Sequence, residues 1–189
     1  MKRIWTMGEL LVEIMRPHED MPHERADVYM GPYPSGAPAI MISAAARMGA
    51  PAGIIGGVAC DAFGRLLVER LSGYGVDCSQ VLRSEAGSTA TAFVMYHGDG
   101  SREFIFHIDG TPAVWAGMPD EAAMRDAAFF HVMGCSLTAN ADFCRQIVAA
   151  AEAFAARGAK ISFDPNIRPE LLRGSDLRSI LEPILTRCS

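Results

Sequence analysis

The apolar positions along the chain change their period several times, and each change marks an element. Ile4 to Met15 is apolar with a polar interruption and reads as one strand. Residues 16–35 are rich in Pro, His, Asp and Glu, with a β-like ADVYMG inside. Ala37 to Met48 is predicted to be a helix, with Pro38 suited to its first turn and Gly49 to its end. AGIIGGVA is a short, continuously apolar run of the buried-strand type. Asp61 is positioned to cap the next helix, AFGRLLVERLSGYG, which stops at its glycines.

The period then shortens. STATAFVMY and SREFIFHI are β-rich runs joined by His97-Gly98-Asp99-Gly100, and Asp-Gly supplies the positive φ of a tight hairpin. AAFFHVMG and AKISFDPN read as core strands. Between them Thr138 to Arg157 is predicted to form one long alanine-rich helix ending at Gly158. Ser175 to Thr186 reads as a last helix, bent or interrupted at Pro183. Strands alternating with helices predict an α/β fold, a largely parallel sheet covered on both faces. Residues 16–35 and 86–110 do not fit the alternation and are expected to pair into a small, separate sheet. The chain stops on a helix with no strand to receive it, so the reading expects a sheet cut off on its C-terminal side.

Composition narrows the function classes. With 189 residues, half of them hydrophobic, there is material for a sizeable core. The formal net charge is −5, and the basic residues are scattered, which excludes a stripe for nucleic acid or an anionic membrane. The first apolar run is cut by Glu9 and Glu13, unlike a signal peptide, and no stretch is long enough to span a bilayer. Five dispersed cysteines and five dispersed histidines show no metal-ligand spacing, and unpaired thiols suit a reducing cytoplasm.

In an open parallel sheet, ligands bind beyond the carboxyl ends of the strands. Gly8-Glu9, Ser35-Gly36-Ala37, Gly56-Gly57 with Asp61, and Asp164 to Arg168 fall there. Gly36 and Ala37 allow a ligand close to the backbone, and the following helix offers unpaired N–H groups. That surface suits hydroxyl or carboxylate oxygens; an ordinary tight loop is the alternative. FDPNIR sets a carboxylate, an amide (Asn166) and a guanidinium (Arg168) after a core strand. Arg168 is a candidate fork for a carboxylate or substrate oxygen, unless it pairs with Asp164. Asp61 is assigned only as a cap.

In order and spacing, GELLVEI, SGAPA, ARMGAPAGIIGGVACDAFG, LSGYGVD, TATAFVMYHGDGSREFIF and FDPNIR resemble the ribokinase-like (PfkB) carbohydrate kinases over essentially the whole chain. The resemblance implies a Rossmann-like core with a small β-sheet lid over the sugar, a lid that often provides a dimer contact. It implies transfer of the ATP γ-phosphoryl group to a hydroxyl of a ketohexose or a sugar acid like 2-keto-3-deoxygluconate, with Mg²⁺. It brings Glu9 or Glu13 near the sugar, Gly36 and Ala37 against it, His107 onto it from the lid, Arg168 to the sugar or the phosphate region, and Asn166 toward the nucleotide side. The chain departs from the family at Ile40, where many relatives have an Asn that bonds the sugar, and at His107-Ile108, where relatives that use fructose or 2-keto-3-deoxygluconate often have Tyr-Arg. No Gly-Ala-Gly-Asp loop occurs, so no catalytic base can be named and the 189 residues are expected to be inactive alone. The competing reading is a non-catalytic sugar-binding or regulatory module. A nucleotide-dependent oxidoreductase is disfavoured because no Gly-x-Gly-x-x-Gly follows the first strand.

Overall fold

The computed structural model describes residues 2–172, 174 and 176–188. Five strands, β1 (Arg3–Met7), β4 (Ala52–Ala59), β5 (Val76–Ser84), β8 (Ala127–Met133) and β9 (Lys160–Asp164), form one sheet in the order β5-β4-β1-β8-β9. Every pairing in it is parallel. Parallel strands joined by helices must be covered on both faces, and two core layers do this. Ile42 of α1 (Ala37–Arg47) and Leu67 and Leu71 of α2 (Ala62–Gly73) pack over Ile54 and Val76. On the other face, Phe143, Ile147 and Phe154 of α5 (Ala141–Ala156) and Ile184 of α7 (Leu177–Leu185) pack over Phe130 and Ile161. The rings of Phe130 and Phe154 stack with centroids 4.4 Å apart.

A second, mixed sheet holds β2 (Leu11–Met15), β3 (Met30–Ser35), β6 (Ala90–Tyr96) and β7 (Arg102–His107) in the order β3-β2-β6-β7. The two off-pattern segments therefore do share a small sheet, but they do not pair with each other: β2 lies between them. The expected hairpin joins β6 to β7, with Gly100 at φ +83°. Most of residues 17–29 forms no strand. Arg16, almost fully buried, holds that stretch by donating to the carbonyls of Pro22, His23 and Val28, with its guanidinium 3.9 Å from the Tyr29 ring centre.

The expected single strand from Ile4 to Met15 is two strands in two sheets. The break is at Gly8, where a Cβ would lie 2.3 Å from Pro38 Cγ and 2.5 Å from Ser136 Oγ. Only a bare backbone passes between those residues, and it turns there. The expected helix from Thr138 to Arg157 is also two, α4 (Gly134–Ala139) and α5, separated by Asn140. Asn140 is extended, and its side chain accepts from the N–H groups of Asp142 and Phe143, so it caps α5 in place of continuing α4. β5 was not foreseen: its VDCSQVLRS is mostly polar, as an edge strand permits. The short α3 (Glu121–Arg125) and α6 (Pro169–Leu172) were not foreseen either. The last helix carries Pro183 within it, and the expected start at Ser175 lies outside the described residues. Among the described residues no helix is long and apolar enough to cross a membrane.

Candidate functional site

The bend at Gly8 turns Glu9 into the interior, beneath the junction of the two sheets. Its side chain is buried, with Oε2 accepting from Ser136 Oγ at 2.5 Å and Oε1 accepting from Cys135 Sγ at 3.3 Å. Burial pushes the Glu9 carboxyl above the usual carboxylate range; hydrogen bonds from Ser136 and Cys135 and the charge of Arg168 oppose this without cancelling it. Burial and the neighbouring Glu9 hold the Cys135 thiol far above the ordinary thiol range, so it is no nucleophile.

Gly36 lies against this acid from the other side. Its φ is +103°, and a Cβ there would sit 2.5 Å from the Glu9 carbonyl oxygen, so glycine is required on both counts. The chain then enters α1 at Ala37, whose first turn presents unpaired N–H groups beside the same spot.

These elements wall a cavity of about 80 Å³ between the two sheets. Glu9, Gly36 and Ala37 line it, with Ile40 from α1 and Leu11 and Glu13 from β2. Arg102, Phe104 and Phe106 come from β7, and Asn166, Arg168 and Leu171 from the stretch after β9. Phe104 and Phe106 stack at 5.0 Å, and the Cζ atoms of Arg102 and Arg168 lie 5.7 and 5.8 Å from the Phe104 ring centre. Asp164 does not pair with Arg168: its Oδ1 accepts the Asn166 N–H at 3.0 Å. This turn puts Asn166 at φ +36°, with its Oδ1 buried and without a partner. The cavity thus combines two guanidiniums, a buried acid, a half-buried acid and an aromatic wall. That set can bind several hydroxyl or carboxylate oxygens at once.

Glu9, Glu13, Gly36, Ala37, Asn166 and Arg168 are all brought together here, as the sequence suggested. His107 is not. Side chains alternate along a strand, so the register that turns Arg102, Phe104 and Phe106 into the cavity turns His107 to the opposite face. There it meets the ring of Phe93 edge-on at 6.0 Å. Gly56 and Gly57 also stay out of the cavity. A Cβ on Gly56 would meet Leu10, and one on Gly57 would lie 2.0 Å from the Pro112 carbonyl oxygen, so both glycines serve packing.

The profile of the pfkB family carbohydrate kinases matches residues 1–185. The chain belongs to the PfkB family. This PfkB chain is 30% identical to a fructokinase of Escherichia coli over 176 residues, 93% of the chain and 54% of that enzyme. Its fold is similar to a solved ribokinase II from E. coli, at a TM-score of 0.90 and 38% identity, over 100% of this chain and 61% of that one; the same protein has been solved with ATP and Mg²⁺. A fructokinase from Xylella fastidiosa matches at a TM-score of 0.84 and 28% identity, over 98% of this chain and 57% of that one. The chain spans about half the length of the curated relatives it matches.

Arg102, Phe104, Phe106 and the Cys135–Ser136 pair of this PfkB chain went unnoticed in the sequence. The two-residue period of REFIFH does carry the signal for the first three, because it puts them on one face and His107 on the other. Nothing local marks Cys135 and Ser136, which reach Glu9 across more than a hundred residues.

Proposed function

We propose that this chain forms the acceptor side of an ATP-dependent kinase that phosphorylates a hydroxyl of a ketohexose or of a sugar acid such as 2-keto-3-deoxygluconate. One observation carries the reading: Glu9, Glu13, Gly36, Ala37, Asn166 and Arg168 line a single cavity, in a chain of the PfkB family. Glu13 and the main chain at Gly36–Ala37 take sugar hydroxyls. Glu9, kept protonated more readily than an ordinary carboxyl, supports the floor and can donate as well as accept. Arg168 and Asn166 face the phosphoryl side, and Arg102 with Arg168 favours a carboxylate-bearing acceptor.

The described residues form no all-protein cage for Mg²⁺, which in phosphoryl transfer is held mainly by substrate phosphates, water and one or two carboxylates. Among the described residues no group of three or more His, Cys, Asp or Glu side chains could hold a metal ion, and the sequence holds no Gly-Ala-Gly-Asp loop. The role assigned to this chain is to bind and orient the acceptor, and the 189 residues are expected to be inactive alone. The family resemblance also suggests a homodimer contact through the small sheet, whose far face carries Ile105 beside Phe93.

The test is calorimetric titration of the chain with fructose, 2-keto-3-deoxygluconate, ribose and adenosine, alongside a coupled assay for ADP release. A ketohexose or sugar acid should bind, Arg168→Ala should weaken it about tenfold (about 1.4 kcal/mol) with unchanged thermal melting, and no ADP should form. Adenosine as the preferred ligand, equal affinity in Arg168→Ala, or turnover above a vector control would each count against the proposal.

A further inference from the structure

A second cavity lies on the other side of Ser35. α1 turns Ala39, Ser43 and Ala44 toward α2, and these side chains are too short to fill the space before Leu67 and Leu71. About 260 Å³ is left open. The floor is apolar, with Ala39, Leu67 and Leu71 buried. The mouth is cationic. Arg47, at the end of α1, and Arg70 of α2 converge on the ring of Tyr74, their Cζ atoms 5.2 and 5.8 Å from its centre. Arg70 Nη1 also donates to the Tyr74 hydroxyl at 2.9 Å.

No acidic side chain lines this cavity, and among the described residues no ion pair engages either guanidinium. Elsewhere on the surface, arginines such as Arg3, Arg157 and Arg187 each meet a carboxylate. Two like charges gathered on one ring repel, and an anion seated between them relieves the repulsion. The Tyr74 phenol reports the same local field: the hydrogen bond from Arg70 and the charges of Arg70 and Arg47 hold its pKa below the ordinary phenol value.

We propose that this groove binds a small phosphate monoester, at a site separate from the cavity between the sheets. The charge matches, because a phosphate monoester carries roughly −1.5 to −2 at neutral pH and two guanidinium forks balance it with paired hydrogen bonds. The apolar floor takes the short organic body. The volume is below the roughly 300–1,000 Å³ of sites for drug-sized ligands, which keeps the occupant small. Ser35 and Ile40 border both cavities, so the two ligands would sit on opposite sides of one wall.

The experiment is calorimetric titration of the chain, at low salt, with glycerol 3-phosphate and in parallel with inorganic phosphate. Glycerol 3-phosphate should bind more tightly than inorganic phosphate. Arg47→Ala and Arg70→Ala should each weaken it about tenfold, the double variant should abolish binding, and Arg168→Ala should leave it unchanged. Arg47→Lys, which keeps the charge but not the fork, should bind with intermediate affinity and melt like the parent, which separates a lost ligand contact from a lost fold. The proposal is overturned if the double variant binds as the parent does, if Arg168→Ala is the variant that loses binding, or if the ester gives no heat at millimolar concentration. Inorganic phosphate binding as tightly as the ester would refute the role given to the apolar floor.

Discussion

Replacing Glu9 by glutamine separates charge from shape at the floor of the cavity. An unfolded glutamate titrates near 4.3, and burial raises the value in the folded chain. The folded state therefore binds more protons than the unfolded one above that point. Stability is full at low pH and falls as pH rises from about 4.3 through the raised folded value, by about 1.4 kcal/mol for each unit between the two. The parent carries the whole penalty only above the raised folded value, and a growing part of it from about 4.3 upward. Glutamine does not titrate, and its carbonyl oxygen still accepts from Ser136 Oγ, which donates at 2.5 Å in the parent. Glu9→Gln should thus gain on the parent as pH rises from about 5 to about 8, because only the parent loses stability over that range. Glu9→Ala removes the acceptor, leaves the fully buried Ser136 hydroxyl unpaired and opens a void, and should cost about 1–3 kcal/mol near pH 5, the cost shrinking toward pH 8 as the parent itself loses stability. Urea unfolding followed by circular dichroism at the two pH values measures both. A glutamine variant that loses as much stability as the parent between them would refute the argument, because the titrating group would then lie elsewhere.

Three more substitutions address the supports of the site. In Gly134→Ala the new Cβ would sit 1.9 Å from the Pro165 carbonyl oxygen, so the loop carrying Asn166 and Arg168 must shift. A stability loss of about 1–3 kcal/mol in urea should accompany weaker sugar binding by calorimetry. Asn140→Ala removes both hydrogen bonds that start α5 and should cost about 1 kcal/mol, read as a lower melting temperature. His107→Ala, on the face of β7 away from the cavity, should leave sugar affinity unchanged; a clear loss would mean that the small sheet presents its other face to the ligand.

The parallel sheet and its helices were legible because AGIIGGVA is a continuous apolar run, AAFFHVMG is one but for His131, AKISFDPN carries Ile161 and Phe163 into a turn-forming Asp-Pro-Asn, and Asp61 and Gly49 are local end signals. What stayed hidden was decided by distant contacts. Gly8 breaks a run that looks like one strand, but the cause is Pro38 and Ser136, which close over it from two helices. Asn140 interrupts an alanine-rich stretch whose propensity favours continuing, and only its capping bonds show that the chain stops and restarts. β5, polar and at an edge, gives no period to read. Within the site, the acids, glycines and Arg168 could be found from motif and order. Their partners could not, because Ser136 and Arg102 join Glu9 and Glu13 only through the folded arrangement of the two sheets.

The chain passes between the two sheets four times, and two of those passages touch. The chain leaves the larger sheet through Gly8, Glu9 and Leu10, and it comes back from the smaller one through Gly36, directly against the Glu9 carbonyl oxygen. Glu9 is clamped to α4 and stays with the larger body, while Glu13, two residues into β2, rides with the smaller. The two acids thereby reach one cavity from different bodies, so the spacing between them is set by how the smaller sheet is seated on the larger.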